Sequence, residues 1–284
     1  MDFLVVADLF MTPTAALADI VLPSASYLEF DSIVNPPYYP VAQVQQKVAE
    51  IEECWPDFRI LSGMAKKMGL GEFFWQNERD FLDVILKPLG ISFDEFREIG
   101  AVSGGTEYYH YESKGFNTPS GKVELYSDRL REWGFDPLPV YREPQETPYS
   151  DPELAKEYPL IFTSGKSEYY RHSGGRQIKT LRKLHPEPIV YIHPETAAEL
   201  GIREGEWVWV ATKRGRIRQK AFFAEEIDPR VVEVDYAWWF PEKGAEAQYE
   251  WRESNINILT DNKPPFGREL GSINLRGILC KVYE

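Results

Sequence analysis

Short apolar runs separated by turn residues fill the second half of the chain. Two intervening segments, 177–184 and 194–200, have helical spacing of apolar residues. Both faces of the run 206–212 are apolar, because Trp207 and Trp209 alternate with Val208 and Val210. The pattern predicts a mainly β domain over residues 158–284, closed or nearly closed as a small barrel. Its six predicted strands are residues 158–163, 188–192, 206–212, 216–224, 231–235 and 276–282.

The start of the chain has the pattern of an α/β layer. Residues 3–7 form an apolar run typical of a buried parallel strand, residues 12–18 begin a helix with Pro13 in its first turn, and residues 20–22 are strand-like. A complete doubly wound sheet needs several such units, and about one and a half are present. We therefore expect residues 1–35 to depend on further sequence for burial and to expose apolar side chains.

Residues 41–51 are predicted to be extended, and three helices follow. The first begins at Trp55-Pro56-Asp57 and ends at Gly69, and its apolar stripe is predicted to be core. The others cover residues 81–89 and 92–99, with Ser92 and Glu95 spaced as a capping box. The predicted stripe consists of Phe58, Ile60, Leu61, Met64, Ala65 and Met68.

The middle of the chain contains a predicted hairpin and a predicted linker. The turn Thr118-Pro119-Ser120-Gly121 lies between two extended segments, and Tyr108, Tyr109 and Tyr111 are expected to pack on this hairpin. Residues 136–157 are rich in Pro and Glu without periodicity. We predict an α/β portion over residues 1–135, a linker over 136–157 and the barrel over 158–284.

Polar and basic residues follow the first barrel strand, in the run YPLIFTSGKSEYYRHSGGR from Tyr158 to Arg176. Thr163, Gly165 and Lys166 come at the carboxyl end of the strand, where ligands commonly enter. Gly174 and Gly175 can open a helix at Arg176 with free N–H groups, and Lys166, Arg171 and Arg176 supply charge for a phosphate. The alternative is a simple turn with a solvated edge, which composition alone favours.

Composition and charge exclude several classes of function. The net charge of -13 argues against nonspecific binding to nucleic acid or to an anionic membrane. The basic stretch of Lys213, Arg214, Arg216, Arg218 and Lys220 is predicted to be a solvated barrel strand. Cys54 and Cys280 are too few for an iron–sulfur cluster or a disulfide framework, and the four histidines lack metal-ligand spacing. We predict no metal ligands and no catalytic residues in this chain.

The chain starts without a basic signal segment, because Asp2 and Asp8 flank its first apolar run. Its apolar runs fall short of the ~20 residues needed to span a bilayer. We expect a cytoplasmic location without a direct membrane span, with export alongside a partner as the alternative.

Several motifs in order resemble one family. The run 158–176 is followed by PIVYIHPETAAELGIREGEWVWVATKRGRI at 188–217, YAWWFPE at 236–242, ESNINILTD at 253–261 and SINLRGILCKV at 272–282. This order is similar to the molybdopterin dinucleotide-binding domain that closes the large subunit of the dimethyl sulfoxide reductase family. Residues 2–32 and GFNTPSGKVELYS at 115–127 resemble segments that precede that domain. The resemblance covers essentially the whole chain and identifies it as the C-terminal part of such a large subunit.

The resemblance implies a double-psi β-barrel and a bis-molybdopterin guanine dinucleotide cofactor with molybdenum or tungsten. It implies a partner, because the segments that carry the family's metal ligand and 4Fe–4S cluster have no counterpart here. The partner would be an N-terminal catalytic half or subunit, with an electron-transfer subunit as a further possibility. The chain would thus be part of an oxidoreductase and inactive alone. The alternative is a non-catalytic pterin or nucleotide-binding module, or an inactive remnant of an interrupted gene.

The resemblance also implies the residues that contact the cofactor. Lys166 and Arg176 would neutralise the pyrophosphate, and His172 would hydrogen-bond a phosphate or the pterin. Ser173 would donate to an oxygen, and Asn257 would face a heterocycle edge. Trp239 and Phe240 would either stack near the pterin or cover the barrel end. Asp8 and Thr14 are weaker candidates, because helix capping also explains Thr14. The full predicted set is Thr163, Gly165, Lys166, His172, Ser173, Arg176, Trp239, Phe240, Asn257, Asn274 and Arg276.

Overall fold

The computed structural model describes residues 1–263, 267 and 271–284. The chain divides into two compact units, Met1–Lys122 and Val123–Glu284. This division falls ahead of the predicted linker, and α-helical residues Pro152–Glu157 lie inside that linker. The domain limits at 135 and 158 remain a prediction.

The first unit opens with a two-stranded parallel sheet. Strand β1 (Val5–Asp8) pairs with β2 (Ile20–Pro23), and Val5 lies opposite Ile20. The helix predicted for residues 12–18 is reduced to a single 3-10 turn, Ala15–Leu17. The expectation of exposed apolar surface is confirmed. The exposed side chains around this sheet include Phe3, Leu9, Phe10, Met11, Leu17 and Ile20.

A second sheet in this unit is antiparallel and carries two helices. Its strands β3 (Ser32–Val34), β4 (Val41–Gln45) and β5 (Ala101–Ser103) are hydrogen-bonded in that order. The extended run predicted for 41–51 is therefore strand only to Gln45. Helices α2 (Glu78–Leu86) and α3 (Phe93–Ile99) supply a buried cluster beside it. The capping box of Ser92 and Glu95 is confirmed. The cluster contains Leu82, Leu86, Phe93 and Phe96.

Helix α1 (Asp57–Lys67) starts where its sequence predicts, and Gly69 follows it with φ of 76°. The prediction that its apolar stripe is core is wrong for Leu61, Met64 and Met68, which are exposed. The side chains that α1 buries are Ser62 and Ala65. Periodicity identifies an apolar helix face, but burial also requires a neighbouring layer against that face.

The predicted hairpin is a turn whose flanking segments are not strands in the described residues. Gly121, with φ of 69°, donates its N–H to the Thr118 carbonyl at 3.0 Å. Tyr111, in the short helix α4 (Tyr111–Lys114), stacks on Phe116 with ring centroids 5.3 Å apart. Tyr109 meets Tyr111 edge to face with ring centroids 6.1 Å apart, and all three tyrosines are exposed. A further helix, α5 (Asp128–Glu132), follows, and α6 is Pro152–Glu157.

The second unit contains the predicted closed barrel. Around the barrel the order is β10, β6, β11, β8, β9, β7, with β7 returning to β10. The β6–β10 and β7–β9 pairs are parallel and the others are antiparallel. Helices α7 (Lys179–Leu184), α8 (Pro194–Leu200) and α9 (Trp251–Ser254) connect the strands. The strands are β6 (Leu160–Gly165), β7 (Ile189–Ile192), β8 (Trp207–Thr212), β9 (Gly215–Phe223), β10 (Val231–Asp235) and β11 (Ile278–Tyr283).

Strand β8 explains how a run that is apolar on both faces fits a barrel. Val208 and Val210 are completely buried in the core. Trp207 and Trp209 alternate with them, and the guanidinium of Arg216 lies 4.2 Å from the Trp209 ring. Arg218 lies 5.0 Å from the Trp207 ring and also pairs with a carboxylate, Glu253. Arg216, Arg218 and Lys220 lie on β9 as predicted, and Arg216 and Arg218 cover indole rings, whereas Lys213 and Arg214 lie in the turn before that strand.

The segment predicted as a linker is anchored to the barrel by Glu146, which is only 8% exposed. Arg214, in the β8–β9 turn, donates to both carboxylate oxygens of Glu146, at 2.8 and 2.5 Å. Lys213 contacts the same carboxylate at 2.8 Å. Burial raises the pKa of Glu146, but the hydrogen bonds from Arg214 and Lys213 outweigh it and hold that pKa below its usual range.

Glu146→Gln is expected to lower the free energy of unfolding at pH 7 by about 1 to 3 kcal/mol, because Arg214 loses a bidentate carboxylate partner. Since the folded pKa is lowered, this stabilisation is present above the unfolded pKa of about 4.3 and is lost as the pH falls through the folded pKa. Urea unfolding of both proteins between pH 7 and pH 3 checks it. The difference should shrink on acidification. Glu153→Gln, at an exposed position in the same segment, is the control.

No helix in the described parts of the chain is both long enough and apolar enough to cross a bilayer.

Candidate functional site

Three chain segments meet at one end of the barrel. Strands β6 and β10 run parallel and end together, since Gly165 lies opposite Asp235. Strand β11 begins at this end, and Gly277 just before it donates its N–H to the Phe162 carbonyl at 2.9 Å. Arg276 donates to the Ser164 hydroxyl at 3.1 Å. The segments 166–178, 236–250 and 272–277 therefore leave the barrel at the same end.

The loop after β6 is a compact turn. Gly174 donates its N–H to the Arg171 carbonyl at 2.9 Å, so this N–H is used inside the loop. Gly175 has φ of 96°, a conformation that favours glycine. The helix predicted to open at Arg176 begins instead at Lys179. The predicted helix N-terminus beside the glycines is therefore wrong.

The loop after β10 buries its aromatic residues. Trp238 is fully buried, and Trp239 and Phe240 are nearly so. The Trp239 indole N–H donates to the Ser173 carbonyl at 2.7 Å, which joins this loop to the loop after β6. The structure thus places Trp239 and Phe240 in a cover on the barrel end, one of the two positions predicted for them.

A side-chain pair joins the same two loops at the surface. The Tyr236 hydroxyl and Nδ1 of His172 are 2.8 Å apart, and their rings meet edge to face. His172 is exposed and has φ of 52°, outside the range that side chains usually adopt. The predicted candidate His172 therefore lies beside a tyrosine that the sequence analysis did not select.

Arg176 lies beneath these contacts and is only 2% exposed. Its Nη1 donates to the His172 carbonyl at 2.7 Å and its Nη2 to the Tyr236 carbonyl at 2.9 Å. Burial lowers the pKa of Arg176 to about 10, although the charge of Asp235 acts in the opposite direction. The guanidinium predicted to neutralise a pyrophosphate is occupied by the protein backbone.

A buried polar network that sequence reasoning missed supports the site. His185 Nε2 lies 2.5 Å from Asp235 Oδ2, and that same oxygen accepts the Ile189 N–H at 3.0 Å. Gln219 accepts the Asp235 N–H at 3.1 Å and donates to the Asp235 carbonyl at 2.8 Å. One signal was available: Gln219 occupies an inward register position between apolar Ile217 and Ala221 on β9.

The remaining predicted site residues differ in how exposed they are and in what they contact. Thr163 is half-buried on β6. Gly165 is buried, and a Cβ there would lie 2.8 Å from Cγ of Glu233, so that glycine makes room for Glu233. Asn255 fixes its loop by donating to the Trp238 carbonyl at 3.1 Å, and the predicted ligand residue Asn257 is exposed in the same loop. The exposed candidates are Lys166, His172, Ser173, Asn257, Asn274 and Arg276.

The exposed groups form a donor set with excess positive charge. Among the described residues, no carboxylate forms an ion pair with Lys166, Arg171 or Arg276. The same described ranges hold no group of three or more His, Cys, Asp and Glu side chains arranged to bind a metal ion. This end of the barrel is thus suited to an anionic ligand with polar ring edges.

Known proteins are similar to this chain in sequence and in fold. Residues 160–266 match the family described as Molydopterin dinucleotide binding domain, and residues 1–67 match Molybdopterin oxidoreductase. Acetylene hydratase of Syntrophotalea acetylenica is 37% identical over 294 residues, covering 100% of this chain and 40% of that protein. A putative dimethyl sulfoxide reductase catalytic subunit of Halobacterium salinarum is 31% identical over 248 residues, 84% of this chain and 30% of that protein.

The solved structure of acetylene hydratase from Pelobacter acetylenicus matches with a TM-score of 0.90 and 36% identity, over 100% of this chain and 40% of that one. The chain belongs to the molybdopterin oxidoreductase family. The chain spans about 40% of the length of the hydratase it matches. The family resemblance of its motifs is confirmed.

The dinucleotide-domain match covers most of the barrel-end site. It begins at Leu160, the first residue of β6, and includes the two loops that Arg176 joins. Asn257 also lies within it, whereas Asn274 and Arg276 lie beyond its end at residue 266. The dinucleotide-domain match thus includes most of the exposed donor set.

Proposed function

We propose that the chain binds molybdopterin guanine dinucleotide as part of a bis-pterin oxidoreductase with molybdenum or tungsten. The observation that carries the proposal is the set of exposed cations and amides on loops that converge at one barrel end. The dinucleotide-domain match over residues 160–266 covers most of these loops. The two parallel pairs, β6–β10 and β7–β9, support a double-psi arrangement of the barrel.

The exposed residues have distinct roles in this proposal. Lys166 and Arg171 neutralise the pyrophosphate, and Arg171 provides the planar fork that matches two phosphate oxygens. The Ser173 hydroxyl and the His172 ring donate hydrogen bonds to its oxygens. Asn257 presents one donor and one acceptor to a heterocycle edge. Arg276 and Asn274 contact the second pterin from the segment before β11.

The cofactor, when bound, supplies a metal held by pterin dithiolates that carries the redox chemistry. This chain orients the organic part at the barrel end that Trp239 and Phe240 cover. Cys280 is completely buried, and burial raises the pKa of its thiol, which disfavours the thiolate needed for metal ligation. We therefore assign the metal ligand and a 4Fe–4S cluster to an N-terminal catalytic half or subunit, and expect this chain alone to be inactive.

The nucleotide half of the cofactor gives a direct test, because GDP carries guanosine and a diphosphate. We expect isothermal titration calorimetry with the 284-residue chain to detect GDP binding. Lys166→Ala combined with Arg171→Ala should weaken binding about 10- to 100-fold, as expected for losing two charge-assisted contacts. The matched control is Lys156→Ala, an exposed lysine just before β6 rather than after it.

Two outcomes would contradict the proposal at different levels. Equal GDP affinity of the wild type and the double variant would remove Lys166 and Arg171 from the site. Isolation of the chain from its native source without pterin, without molybdenum or tungsten and without an iron–sulfur partner would contradict the enzyme assignment. That second result would favour a non-catalytic binding module or an inactive remnant.

A further inference from the structure

We propose that Arg176 is a positioning residue of this site. Its buried guanidinium fixes the loop after β6 against the loop after β10, so that the exposed donors of both loops face one ligand. Arg176 itself does not contact that ligand. The inference rests on the proposed binding of a guanine dinucleotide and assigns Arg176 a role different from neutralising phosphate.

The hydrogen bonds of Arg176 lie directly beneath the surface pair of the site. It donates to the backbone carbonyl of His172 at 2.7 Å and to that of Tyr236 at 2.9 Å. The side chains of these two residues meet above it, with 2.8 Å between Tyr236 Oη and His172 Nδ1. The guanidinium therefore sets the separation of the two backbones from which the exposed pair projects.

The guanidinium lies between two aromatic rings that are themselves fixed. Its central carbon is 4.7 Å from the Tyr170 ring centre and 5.0 Å from the Trp238 ring centre. The Tyr170 hydroxyl donates to the His185 carbonyl at 2.5 Å. The Trp238 carbonyl accepts a hydrogen bond from the Asn255 side-chain amide at 3.1 Å, which joins the Asn257 loop to the same group of side chains. The loop after β6, the loop after β10 and the Asn257 loop are therefore all fixed around the Arg176 guanidinium.

Burying a charged guanidinium at this position costs hydration free energy, which a purely structural role does not explain. Arg176 is buried without a hydrogen-bonded carboxylate, and its Nε has no hydrogen-bond partner among the described residues. Burial lowers the pKa of its guanidinium, since the charged form loses hydration. Replacing a whole buried ion pair by apolar side chains is often neutral or stabilising, but removing Arg176 alone leaves the His172 and Tyr236 carbonyls without their donors. Bridging two backbone carbonyls from one side chain requires the planar fork of arginine, which supplies several donors in fixed directions.

The test separates stability from binding. We expect Arg176→Met to lower the midpoint of urea unfolding, because two loop carbonyls lose their donors, and to weaken GDP binding by the folded protein at least 10-fold. Arg176→Lys keeps the charge but not the fork, and its GDP affinity should fall at least fivefold. Arg182→Met is the matched control, because Arg182 lies 4.8 Å from the same Trp238 ring but pairs with Glu242 instead of the loop carbonyls. Its GDP affinity should stay within twofold of the wild type.

Either variant can overturn the inference. A folded Arg176→Met protein that binds GDP as tightly as the wild type would overturn it. If the Arg176→Met protein fails to fold, an Arg176→Lys protein with wild-type GDP affinity would overturn it instead. Should the wild type fail to bind GDP, the proposed function is lost but the loop coupling is still measured. NMR of the His172 ring should then show loss of its Tyr236 contact in Arg176→Lys and retention in Arg182→Met. Retention in both would refute the positioning role.

Discussion

Asp235→Ala is expected to lower the free energy of unfolding of the barrel by about 3 to 5 kcal/mol. The carboxylate is 4% exposed and its Oδ2 serves both His185 and the Ile189 N–H. Its removal leaves a buried imidazole and a backbone donor without their partner. Urea unfolding at pH 7, followed by circular dichroism, measures the change.

Asp228→Ala is the matched control for this variant. Asp228 is the same residue type just before β10, but it is exposed and pairs with Arg230 in the solvent. Its replacement should leave the unfolding midpoint within error, because surface ion pairs contribute little. Similar losses in the two variants would contradict a structural role for the His185–Asp235 pair.

Trp238→Ala is expected to cost about 3 to 5 kcal/mol of the free energy of unfolding. Trp238 is the largest of the described side chains that are completely buried. It lies between Tyr170 and Phe240, with ring centroids 5.7 and 6.3 Å away. The guanidiniums of Arg176 and Arg182 lie over its ring. Truncation leaves a cavity and removes the aromatic surface over which the two cations lie.

The control for this variant is Trp133→Ala, because Trp133 is 63% exposed and also carries one arginine, Arg129, at 6.0 Å. Its loss should change the unfolding midpoint little. Trp238→Phe should recover part of the loss, since phenylalanine fills most of the space. A Trp238→Ala protein as stable as the Trp133→Ala protein would show that the aromatic cover does not stabilise the barrel.

The barrel was predictable because its strands carry their pattern locally. Val208 and Val210 alternate with Trp207 and Trp209, and strand β10 has the predicted bounds, Val231–Asp235. Helix α1 shows the opposite case. Its ends follow from Pro56 and Gly69, but whether its apolar side chains are buried depends on what packs against them, which no local pattern contains.

The sequence was sufficient to predict which segments carry the candidate site, but not which of their side chains contact one another. The sequence indicates that polar and basic residues follow β6, and the structure brings His172 and Ser173 to the loop that carries Trp239. It does not indicate that Arg176 turns inward or that Gly165 makes room for Glu233. Such assignments depend on partners distant in sequence, as with Arg176 and Tyr236, 60 positions apart.

The barrel and the β1–β2 sheet differ in whether they have edge strands. A closed barrel pairs every strand on both sides, whereas each strand of the two-stranded sheet has a strand neighbour on one side, and at the edge of β2 the Trp55 N–H donates to the Pro23 carbonyl. Exposed Phe3 and Ile20 accompany those edges. The tendency of this polypeptide to self-associate or aggregate is therefore concentrated in its first two strands rather than in those of the barrel.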